Sequence, residues 1–107
     1  MRPEEKSKVI YSIRSAWEAA QFAKPSRALW KRAKRDCKAF IAVAGDRIEA
    51  YDASQVGHDL WLTRNGHGAG FWDRTQYDAW YQFDLSRIAR AMGEVHLYVS
   101  RGKVMHE

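Results

Sequence analysis

A chain of 107 residues with 46% hydrophobic and 29% charged side chains has the make-up of one small folded domain, residues 1–107, and not of a disordered segment. Its single cysteine, Cys37, excludes an internal disulfide framework and a cysteine-based zinc cluster, and suits a reducing cytoplasm. The net charge of +5 is uneven: residues 1–38 carry 11 Lys/Arg against 4 Asp/Glu and residues 39–107 carry 7 against 9, so an acidic partner such as nucleic acid would meet the N-terminal part.

Pro3, followed by Glu4 and Glu5, opens a helix, because proline is tolerated in the first turn and carboxylates complement its exposed N–H groups. Ile10, Ile13, Trp17 and Ala20 recur at helical spacing, and Pro25 predicts an end near Lys24. Ser26 can cap a second helix, running from about Arg27 to at least Ala44 with Trp30, Ala33, Cys37, Phe40, Ile41 and Ala44 on its buried face. Arg27, Lys31, Lys34, Arg35 and Lys38 lie broadly opposite. A single glycine costs a helix only about 1 kcal/mol, so continuation or a kink is expected through Gly45 toward Tyr51. The two helices, joined at Lys24-Pro25-Ser26, form a helical hairpin. Asp52 with Gln55 resembles a capping pattern and predicts one further turn, Asp52 to Val56, from which Gly57 releases the chain.

The stretch from His58 to Arg74, HDLWLTRNGHGAGFWDR, reads as a strand, a turn and a second strand. Leu60, Trp61 and Leu62 are a short apolar run, and Asn65-Gly66 tolerates the positive φ of a tight hairpin. Gly66, Gly68 and Gly70 recur with period two and strip one face of the return strand, which an indole (Trp61 or Trp72) or a ligand can approach. The spacing is not that of a phosphate loop, since neither G-x-G-x-x-G nor G-x-x-x-x-G-K-[ST] is present. Phe83-Asp84 then opens a third helix with Leu85, Ile88, Ala89 and Met92 on one face and Gly93 as its stop. Val95, Leu97 and Val99 alternate inward with His96 and Tyr98 outward, and Ser100 to Lys103 turns the chain into a last strand, Val104 to His106.

The same stretch closely resembles a block, H-D-[FL]-W-L-T-R-N-G-H-G-A-G-F-W-D-R, of small uncharacterised proteins encoded by tailed bacteriophages, prophages and plasmids. Weaker similarity surrounds it at Asp36 to Phe40 and at Gly93 to Val99, where relatives tend to have Asp at the position of His96, so that the likeness covers about the last two thirds of the chain. After Arg74 the chain departs from the relatives, which usually continue with Gly and a short turn; here Thr75 to Gln82, TQYDAWYQ, is longer and aromatic. The resemblance implies a phage or mobile-element origin and a host cytoplasmic setting, and it carries no catalytic residue over.

Three sets of side chains are candidates for function. Arg27, Lys31, Arg32, Lys34, Arg35 and Lys38 could contact nucleic-acid phosphates. His67 and Asp73, within the polar set of the hairpin, are a weak catalytic pair, because a His beside a carboxylate can do acid–base work, yet no nucleophile elbow or H-E-x-x-H accompanies them. Trp72, Tyr77, Trp80, Tyr81 and Phe83 crowd into twelve residues, more aromatic area than a short connection needs, and Trp72, Tyr77, Trp80 and Tyr81 with Arg64, Asn65 and His67 make a candidate partner surface. No metal site or cofactor is expected. No apolar run reaches the ~18 residues of a membrane span, and Met-Arg-Pro-Glu-Glu is not an apolar signal region, so a cytoplasmic protein with no membrane partner is expected.

The expected fold is α+β: the N-terminal helical hairpin on a small, mainly antiparallel sheet, with a third helix before the C-terminal strands. The expected function is a phage or mobile-element accessory protein that binds a host or phage macromolecule, most simply a protein. Nucleic-acid binding through the basic helix is the alternative, and a small hydrolase at the glycine-rich hairpin is the third reading.

Overall fold

The computed structural model describes residues 1–21, 23–49, 51–66 and 70–107. Among these, four α-helices and a small mixed sheet make an α+β fold: α1 Pro3–Gln21, β1 Lys24–Pro25, α2 Arg27–Ala44, α3 Ala53–Arg64, α4 Ala79–Ala91, β2 Leu97–Ser100 and β3 Lys103–His106. Two 3-10 turns, Gly45–Ile48 and Phe71–Asp73, complete the path.

The first two helices form as their sequence dictates. The buried stripe of α1 is Val9, Ile10, Ile13 and Trp17, whereas Ala20 is exposed. Ser26 caps α2, its Oγ accepting the N–H of Leu29 at 3.1 Å. Leu29, Ala33, Cys37, Phe40 and Ala44 point inward, while Trp30 is half-buried against Tyr11. Gly45, at φ 53°, closes α2 and starts the 3-10 turn, which is the kink its glycine predicts.

The central hairpin is not formed. Asp52 caps a helix as expected, accepting the N–H of Gln55 at 3.0 Å, but α3 does not stop at Gly57 and runs on through Leu60, Trp61 and Leu62. Gly57 serves the crossing of α1 over α3: a Cβ there would overlap the Val9 carbonyl oxygen and lie 2.9 Å from its carbon. Asn65 and Gly66 end the helix instead of turning a hairpin. Asn65 is the C-cap, its side-chain amide donating to the Trp61 carbonyl at 2.9 Å, and Gly66 takes φ 67°. Tolerance of positive φ, which marks a hairpin turn, also marks a helix terminus. The reading of Gly68 as part of a bare strand face falls outside the described residues, while Phe71–Asp73 is a 3-10 turn and no return strand.

The sheet has the order β1-β3-β2, with β2 antiparallel and β1 parallel to β3. The C-terminal hairpin therefore sits where the sequence puts it, and the parallel bridge of Lys24–Pro25 onto Lys103–Val104 makes the sheet mixed, not simply antiparallel. Val104 on the central strand is fully buried, and Val99, its registered partner on edge strand β2, is 46% exposed, against the expectation that it faces inward. His96 and Tyr98 face outward. Helix α1 packs chiefly on α3, with α2 and the sheet beside it and α4 closing the far side of α3. No helix among the described residues is long and apolar enough to cross a membrane.

Candidate binding surfaces

The resembling block is where polar side chains turn inward. Asp59 is fully buried on α3 and accepts from Gln55 Nε2 at 2.8 Å, Arg74 Nε at 3.0 Å and the Tyr77 hydroxyl at 3.5 Å. A buried carboxylate is tolerated when its oxygens are paired in this way. Burial, and after it the negative charge of Asp59, holds the Tyr77 hydroxyl well above its ordinary pKa.

Arg64 is committed to the interior in the same manner. Its Nε donates to the Gly93 carbonyl at 2.9 Å and its Nη2 to the Met92 carbonyl at 3.1 Å, capping the C-terminal end of α4, while Nη1 meets Asp36 Oδ2 at 3.1 Å. One guanidinium thus ties α2, α3 and the end of α4 together. Asn65 adds a further tie, its Oδ1 accepting the N–H of Val95 at 2.8 Å. The Thr63 hydroxyl accepts the N–H of Phe71 at 3.2 Å. Gly70, at φ 125°, lets the chain pass so close that a Cβ would overlap Thr63 Oγ1 and lie 3.0 Å from the Asp59 carbonyl. Phe71 then stacks on Phe40 with centroids 5.7 Å apart and meets Tyr77 edge-on at 5.6 Å.

These contacts rearrange the expected partner surface. Arg64, Asn65 and Tyr77 work as interior ties, and Tyr81 is half-buried against the core. Trp72, Trp80 and Phe83 remain outside, 58%, 77% and 52% exposed. Asp78 caps α4 by accepting the N–H of Trp80 at 2.9 Å, so the helix begins four residues earlier than Phe83, and Trp80 and Tyr81 stand in its first turn and not in a loop. Trp80 and Phe83, three apart on α4, share a face. The turn carrying Trp72 packs on the same helix, and the Gln82 side-chain amide donates to the Arg74 carbonyl between them. Phe83, absent from the expected partner set, was detectable as the i+3 neighbour of Trp80 once a helix was drawn through both.

The basic helix keeps its charges on the surface. Arg27, Lys31, Lys34, Arg35 and Lys38 are exposed, while Arg32 is half-buried, 3.6 Å from Asp36 and with Nη1 3.0 Å from His106 Nδ1. Asp73 is exposed at the end of its 3-10 turn. His67, its expected catalytic partner, lies outside the described residues. Among the described residues no group of three or more His, Cys, Asp or Glu is placed to hold a metal ion. Cys37 is buried, and burial, then Asp36, pushes its thiol up to about 12 against an opposing effect of Arg64. Comparison of the chain with protein-family models, curated proteins and solved structures gave no match in any of the three.

Proposed function

We propose that the protein is a binding module for a host or phage protein, acting in the cytoplasm, and that its contact surface is the aromatic face formed by Trp72, Trp80 and Phe83. The observation that supports this reading is the exposure of three large rings on one helix turn and the turn beside it. Tryptophan is enriched among residues that dominate protein interfaces, since it buries a large area with few rotatable bonds. Exposed apolar surface gathered on neighbouring elements and rimmed by polar residues marks interaction sites. The mounting is rigid as well. Phe71 next to Trp72 is locked between Phe40 and Tyr77, and Tyr51 meets Tyr77 at a tilt with ring centroids 4.0 Å apart. A backbone held in this way has less to order on binding. The likeness to mobile-element proteins supports a partner from the host or from the element itself.

The test is capture from nuclease-treated bacterial lysate, comparing the wild type with Trp72→Ala and Trp80→Ala, followed by titration of the purified captured protein. The expected result is a partner that survives nuclease and is lost from both variants. Equal capture by all three proteins would overturn the assignment of the surface, and a concentration-dependent rise in mass of the isolated protein, abolished by Trp80→Ala, would reassign it to self-association.

A further inference from the structure

We propose that the outward face of α2 binds the phosphodiester backbone of nucleic acid without reading base sequence. At about 100° of rotation per residue, Lys34, Arg27, Lys38, Lys31 and Arg35 follow one another around about 100° of the helix surface, and Ala42 is the one other residue of α2 in that arc. All five cations are exposed. Arg35 alone has an acidic partner, Asp36 at 3.4 Å; among the described residues none of the other four is in a salt bridge. Lys24 and Lys103, registered partners in β1 and β3, are exposed beyond the N-terminal end of the helix and extend the same sign of charge.

The spacing fits a repeating polyanion. From Arg27 to Lys38 the helix rises about 16 Å, and one strand of B-form DNA places a phosphate every 3.4 Å along its axis, so the face spans about five phosphates. At its flank is a shallow depression of about 590 Å³ lined by Ala28, Lys31, Arg32, Arg35 and His106, open enough to seat a phosphate between cations. An acidic protein is a poorer match, because the arc holds no aromatic or large apolar side chain to anchor it. An anionic membrane is a poorer match too. The apolar half of α2 is spent in the core, leaving nothing to insert below the headgroups. Base stacking is not part of the site, since Trp30 is half-buried with the Arg14 guanidinium 4.8 Å from its ring centre. This inference stands independently of the aromatic face.

The experiment is fluorescence anisotropy with two labelled 20-base-pair duplexes of unrelated sequence between 50 and 200 mM salt. About five neutralised phosphates give a log–log slope near −4.5, or about 500-fold weaker binding across that range, equal for both duplexes. Lys31→Ala/Arg35→Ala should bring the slope to about −2.7, and Arg87→Ala/Arg90→Ala, which removes the same charge from exposed positions on α4, should leave it unchanged. Equal loss in the two variants would reduce the effect to net charge and overturn the site. So would no duplex binding at 50 mM salt, or sedimentation with vesicles of 30% phosphatidylserine in phosphatidylcholine in place of duplex binding.

Discussion

Replacing Gly57 with alanine tests whether α3 is a helix that crosses α1 at backbone contact. On an exposed helix position this change stabilises by about 1 kcal/mol, because alanine loses less backbone freedom on folding. Here the sign reverses. The new Cβ would overlap the Val9 carbonyl oxygen and lie 2.9 Å from the Val9 carbonyl carbon and 3.1 Å from Ser12 Cβ, and two of these three atoms are backbone that cannot rotate away. The helices must separate, loosening the layer where Val9, Ile13 and Trp17 are buried with Val56 and Leu60. Overpacking of this kind costs about 1–3 kcal/mol, toward the upper end when the backbone itself is struck. Subtracting the propensity gain leaves a net loss of about 2 kcal/mol, or roughly 8–16 °C in Tm for a domain of this size. Thermal unfolding followed by circular dichroism at 222 nm measures it, with Gly45→Ala as a comparison, since a Cβ at that exposed site meets nothing within 4 Å and suffers only its φ of 53°. A Gly57→Ala protein with unchanged or raised Tm would refute the close crossing and the helical reading of the block.

Other expectations concern the interior ties and the surface. Asp59→Ala removes a fully buried carboxylate and orphans Gln55 and Tyr77, while Arg74 keeps some access to water; a loss of about 3 kcal/mol is expected in urea unfolding, and an Asp59→Ala/Arg74→Ala double variant should lose less than the sum of the singles. Cys37 should resist iodoacetamide at pH 8 until the protein is unfolded, because its folded thiol titrates near 12 against 9.0 unfolded. Above about pH 9 the unfolded chain gives up that proton and the folded one keeps it, so stability falls with rising pH by up to about 1.4 kcal/mol per unit from this group alone. Tyr77 adds in the same direction, and Cys37→Ala should flatten the alkaline limb in urea midpoints measured from pH 8 to 11. Trp80→Ala should change Tm by no more than a degree or two, since 77% of its surface is already in water.

Where a segment buries one face, its sequence announces it. Pro3, Ser26 and Gly45 punctuate α1 and α2, and the apolar run before Val104 forms a strand of the C-terminal hairpin, although its alternation fails at Val99, which is exposed on the edge. Helix α3 gave no such signal, for a physical reason. It lies between α1 and α4 with the Phe71–Asp73 turn also against it, so it is enclosed on more than one side, and three of its inward side chains are Asp59, Thr63 and Arg64. A helix packed on several faces lacks a single apolar stripe, and polar residues that satisfy each other inside look like surface when read singly. Its last residues misled in a second way, because Asn-Gly is shared chemistry between a hairpin and a helix end. The two-residue strand Lys24–Pro25 had no pattern long enough to read. For the site, the exposed cations of α2 follow from helical phase alone. Which aromatic rings stay outside does not, since Tyr77 enters the core only because Asp59 and Phe71 receive it there.

The most direct test of the proposed role is the affinity of the purified captured partner for wild type and for Trp80→Ala, measured by calorimetry on two proteins of matched Tm. An interface centred on this ring predicts a loss on the order of 2 kcal/mol or more, about 30-fold or greater in Kd. Equal affinities, with the partner still bound when Trp72 and Phe83 are also truncated, would contradict the account and place the contact elsewhere on the molecule.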